Sequence, residues 1–153
     1  MKTTDILQLL HTMTESETEL VFADTTEYDY AEDKIYMNLD GEPDMGFMRH
    51  LLTYHCNPQE RKWAVKIDEL LWSLLHEIGH EMTMDFVEEE GNDEAVRALC
   101  AMTSLEEVKG NIPLQDLYFN LPLEWEATDW AVCWAATHKE FLFFLSECLQ
   151  IAD

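Results

Sequence analysis

Between Ile67 and Met82 the aliphatic residues and Met82 itself fall at 67, 70, 71, 74, 75, 78 and 82. This is the i, i+3, i+4, i+7 spacing of a helix with one oily face, inside a helical pattern that runs from about 60 to 86. At about 100° per residue the stripe centres near Leu74 and Ile78, and His76 and His80 then point roughly 160–200° away, one turn apart. Trp72 lies near them, so the second face is expected to be covered in part as well. A helix with an oily face and a second, partly covered face bearing paired imidazoles reads as the floor of a cleft. The bland reading of "HEIGH" (76–80) is three polar letters on a helix. The chemical reading is a zinc site. One helical turn sets two rings side by side, where both reach a metal at about 2.0–2.1 Å. Glu77 does not ligate but is placed to take a proton from a water held by the metal.

Two histidines leave a tetrahedral zinc incomplete; a third protein ligand is needed, with the fourth position left to water. The best stretch is "LPLEWEATDWAVCWA" (121–135), a helix that Pro122 can open. There Glu124, Ala127, Thr128, Ala131 and Ala135 share one face, while Glu126 falls opposite with Asp129, Trp130 and Cys133. Apart from Glu124 the stripe is small, so this backbone can come close to a neighbour. Gly79 fits from the other side: in a helix interior it costs about 1 kcal/mol relative to Ala, which makes sense where a neighbour needs the room. The competing reading makes Glu124 a first-turn acid favoured by the helix dipole. Glu126 would serve that purpose almost equally, and the Ala/Thr stripe would stay unexplained.

HEIGH followed by Glu124-x-x-Ala127-x-x-Trp130-Ala131 resembles the gluzincin metallopeptidases, and most of all the ImmA/IrrE-type group of bacteria, phages and mobile elements. The likeness covers roughly residues 30–135. It implies a small sheet over an active-site helix with further helices, one zinc on His76, His80 and Glu124, and Glu77 as general base. It implies a regulatory protein of a host or mobile element as substrate. Where gluzincins often carry Asp or Asn four residues after the ligand Glu, this chain has Thr128, expected to orient a histidine by hydrogen bonding without bringing charge. The family's apolar run ending in Pro is replaced by "VCWAATHKE". Peptide hydrolysis also needs an electrophile for the oxyanion; Tyr118, His50, Tyr54 and His55 are the candidates, and the sequence does not choose among them.

The rest of the chain frames these residues. At 153 residues with 47% hydrophobic content, it is expected to form a single packed domain, 1–153. The expected class is α+β: mainly α-helical and zincin-like, with a small N-terminal sheet or hairpin near the HExxH helix. Helices are expected over 5–14, 43–56, from Asn92 or Asp93 to about 107, and after a capping box at "THKE" (137–140). "ELVFAD" (19–24) and "DKIYMNLD" (33–40) read as strands and "TTEYDYAE" as the loop of their hairpin. The strand at 35–39 is expected to border the cleft and pair an extended substrate along its edge. The four cysteines share no CxxC spacing, as in a reduced, cytoplasmic protein. No membrane span or signal peptide is expected.

A net charge of −23 disfavours direct nucleic-acid binding and favours basic partners. Two functional classes follow: a zinc metallopeptidase acting on a protein or peptide, or a non-catalytic zinc-containing acidic module that captures a basic partner or mimics DNA.

Overall fold

The first helix, α1 (Thr3–Met13), buries Ile6, Leu7 and Leu10 and ends where Glu15 turns left-handed at φ 59°. Three short strands follow: β1 (Glu19–Phe22), β2 (Glu27–Asp29) and β3 (Lys34–Met37). The computed structural model describes residues 1–40, 46–84 and 110–152. The acidic run from 85 and the helix expected to about 107 lie outside them.

The sheet differs from the expected hairpin. β1 runs parallel to β3, with Leu20 opposite Ile35 and Phe22 opposite Met37. β2 lies inside the expected loop and pairs antiparallel with β3 on its other side, giving the order β1-β3-β2. The chain leaves a strand's width between β1 and β2, and β3 then fills it. Tyr28 makes the difference: it is buried, and its hydroxyl donates to Asp33 Oδ1 at 2.8 Å across the turn, while Glu27 and Asp29 give the segment its loop-like composition. Asp33, at φ 55°, turns the chain into β3. The role expected of strand 35–39 is therefore ruled out. β3 is central, both its edges are covered, and no substrate can pair there.

Helix α2 (Phe47–His50) passes into a π-helical turn, Leu51–His55, within the span expected to be helical. Asn57 and Glu60 form a reciprocal cap on α3 (Pro58–Ala64). The helix expected to run unbroken from 60 is thus cut in two. The chain turns at Lys66–Ile67, and Asp68 starts α4 (Glu69–Met82) by accepting from the Leu70 amide at 2.9 Å. The Asp68 amide in turn donates to Ser146 Oγ. Apolar periodicity runs through this corner because Ile67 is buried on the same side as the stripe that follows.

Helices α5 (Ile112–Phe119), α6 (Pro122–Thr137) and α7 (Lys139–Ile151) complete the described chain. The capping box expected at 137–140 does not form. Thr137 is the last residue of α6 and donates back to Trp134 O, and His138, the N-cap residue of α7, makes no side-chain cap.

One apolar cluster joins α1, the sheet, α4, α6 and α7 through residues such as Leu10, Ile35, Leu71, Trp72, Ile78, Ala131 and Leu142. Within it α4 and α6 are the principal helix pair. They meet as closely as the small residues allow: a Cβ added at Gly79 would lie 2.3 Å from the Ala127 carbonyl oxygen. Cys56, Cys133 and Cys148 are free thiols. No helix among the described residues is long and apolar enough to cross a membrane. The architecture is α+β, with the small sheet at the N-terminal end.

Candidate metal centre

The close approach of α4 and α6 brings three residues together. Glu124 Oε2 lies 2.7 Å from His76 Nε2 and 3.1 Å from His80 Nε2, and the two Nε2 atoms are 3.1 Å apart. All three residues are buried. The second face of α4 is therefore covered by α6 and not merely fringed: His76 is 6% exposed and His80 5%. Among the described residues this is the only group of three or more His, Cys, Asp or Glu side chains with metal-ligand spacing. Glu126, on the opposite face of α6, takes no part in it.

The arrangement fits a metal on a proton count. Thr128 Oγ1 donates its single hydrogen to the Glu124 carbonyl oxygen at 3.0 Å, so towards His76 Nδ1, also at 3.0 Å, it accepts. His76 then carries its proton on Nδ1, and its Nε2 lone pair faces the carboxylate. Three electron-rich atoms point at one another. A proton can sit between two of them, whereas a divalent cation binds all three. A tetrahedral zinc site with bonds near 2.0–2.1 Å places its ligand atoms roughly 3.3 Å apart, a few tenths of an ångström more than here.

Without a metal the cluster keeps a proton of its own. Burial works against the His80 cation, but the charge and hydrogen bond of Glu124, with the charge of Glu77, outweigh it and raise His80 to about 9. For His76 burial prevails over Glu124 and the pKa falls. Burial would raise Glu124, yet the two histidines hold it well below the usual carboxylate range.

Each ligand residue has a hydroxyl partner behind it. His76 has Thr128, the role expected of that residue. Glu124 Oε1 accepts from the Tyr118 hydroxyl at 2.5 Å. His80 Nδ1 lies 3.4 Å from the hydroxyl of Tyr30, which the sequence reading missed. The available signal was a strand period: Tyr30 follows Tyr28 by two, and their rings are 4.7 Å apart. Glu77 follows His76 on α4, is buried at 9% exposure, and lies near enough for its charge to act on His80.

The chain matches no protein-family model, no curated protein and no solved structure.

Of the four candidate electrophiles, only Tyr118 has a described hydrogen bond to a ligand residue. His50 is fully buried and donates from Nε2 to Asn120 Oδ1 at 3.0 Å. His55 packs on Trp125 at 3.9 Å between ring centres, and burial, with His50 and His76 nearby, depresses it to about 4. Tyr54 is exposed, 3.4 Å from Asp116. His50, Tyr54 and His55 belong to an aromatic group with Phe119 and Trp125, which borders the centre where the Phe119 ring meets that of His76.

Proposed function

We propose that this chain is a zinc-dependent metallopeptidase. The observation that carries the reading is the convergence of His76 Nε2, His80 Nε2 and Glu124 Oε2 on one point, with the buried Glu77 next to His76 in the chain and near enough for its charge to act on His80. Zinc bound there supplies the positive charge that acidifies water and polarises a peptide carbonyl. The remaining steps belong to the chain. Glu77 takes the proton of the attacking water and passes it to the leaving amine nitrogen. Thr128 holds His76 in the tautomer that offers Nε2. The substrate is a protein or peptide; the likeness to the ImmA/IrrE-type group favours a regulatory protein.

The donor set supports the reading of zinc. Two imidazoles and a carboxylate are the ligands of one class of catalytic zinc site, which leaves a position open, whereas structural zinc is usually closed by a fourth protein ligand. A second reading, a non-catalytic acidic module, is favoured by the net charge of −23. It predicts capture of a basic partner that weakens steeply with salt and does not depend on Glu77.

Glu77→Gln separates the two. The amide can hydrogen-bond to water but cannot accept its proton. We expect the variant to keep its fold and its zinc and to lose cleavage of a peptide library by about 10²–10⁴-fold. Equal cleavage by both proteins, or none by zinc-loaded wild type, would remove the peptidase reading.

A further inference from the structure

The two oxygens of Glu124 are used differently. Oε2 lies between the two imidazoles, and Oε1 takes the Tyr118 hydroxyl. A carboxylate can bind a divalent cation through one oxygen or both, and the histidines do not decide which. The Tyr118 bond does. An O–H···carboxylate bond is among the strong, charge-assisted ones, and it occupies Oε1, the oxygen other than the one the two histidines contact.

Tyr118 is held there by its own helix. Asn111 caps the start of α5 by accepting from the Leu114 amide, and Asp116 pairs with Arg49 at 2.8 Å. Phe119 is buried against Phe47 and His50. The phenol is thus delivered to Glu124 from outside the α4–α6 pair.

We propose that Tyr118 is a positioning residue that restricts Glu124 to one-oxygen binding of the metal and thereby keeps a coordination position open. The inference rests on the metal-centre reading above. Its consequence is functional. Three single-atom donors and a water leave a four-coordinate ion room to take a substrate carbonyl as a fifth ligand, whereas Glu124 binding through both oxygens would already fill that fifth position. The same bond argues against Tyr118 as the oxyanion donor, because its hydrogen is already committed to Glu124.

The test uses cobalt(II) alone as the probe, added to the metal-free full chain. Four-coordinate cobalt absorbs visible light strongly, and added ligands weaken the bands. Wild type is expected to show the strong spectrum. Tyr118→Phe, which removes only the hydroxyl, is expected to bind cobalt with a several-fold loss of that absorption. Tyr118→Leu serves the same purpose if the phenylalanine variant does not fold. Leu117→Ala, at an exposed neighbour on α5, is the control and should match wild type. A wild-type spectrum in the Tyr118 variants overturns the proposal while leaving the metal centre intact. Failure of wild type itself to take up cobalt overturns the metal reading and this proposal with it.

Discussion

Thr128 Oγ1 stands 3.0 Å from His76 Nδ1 and fixes which nitrogen of that ring is free. Its own hydrogen is spent on the Glu124 carbonyl, one turn back on the same helix. The backbone of α6 thus fixes the threonine hydroxyl, and the hydroxyl fixes the His76 ring. Thr128→Val keeps the shape and removes the acceptor. Zinc affinity should fall by about 10–100-fold, as is typical when the partner behind a metal-binding histidine is lost. Competition with a zinc chelator measures it, and unchanged affinity would mean that His76 does not need Thr128.

The approach of α4 to α6 depends on Gly79. Alanine there would bring its Cβ to 2.3 Å from the Ala127 carbonyl, a backbone atom that cannot step aside. The gain in helix propensity, about 1 kcal/mol, works the other way. Overpacking of about 1–3 kcal/mol should exceed it. Gly79→Ala is therefore expected to lower stability in urea and to weaken zinc binding by separating Glu124 from the histidines. A more stable variant would show that the helices have room to move.

Much of this centre was legible in the sequence. The His76/His80 pair, the small stripe below Glu124 and the gap at Gly79 all follow from the helical period, because a helix fixes which residues share a face. Tyr118 could be named but not placed, since its position depends on how α5 docks through Arg49 and Phe119. Tyr30 was hidden because Glu27 and Asp29 make β2 look like a loop. The parallel pairing of β1 with β3 was hidden too: alternation in "DKIYMNLD" tells which side chains point inward but not which strand lies alongside. Asp68, by contrast, was a readable cap, overridden by an apolar stripe that ran past it.

The metal-free protein should lose stability on the alkaline side. Folded His80 keeps its proton to about pH 9, whereas an unfolded histidine releases it near 6.5. Its contribution is therefore fully present below pH 6.5 and is lost as pH rises through 9. Urea titrations of chelator-treated protein should show this decline between pH 6.5 and 9. Zinc-loaded protein should not show it, because the metal replaces the proton, and zinc uptake at neutral pH should release protons. An apo protein with flat stability across this range would contradict the proton assignment.

The central claim is that His76, His80 and Glu124 together hold one metal ion. The direct measurement is the zinc content and affinity of the purified chain beside Glu124→Ala and Glu126→Ala. Wild type and Glu126→Ala should each bind about one zinc per chain. Glu124→Ala, which removes one of only three protein bonds to the metal, should bind it more weakly by orders of magnitude. Equal binding by all three proteins, loss in Glu126→Ala alone, or a wild type that binds no zinc would contradict the account.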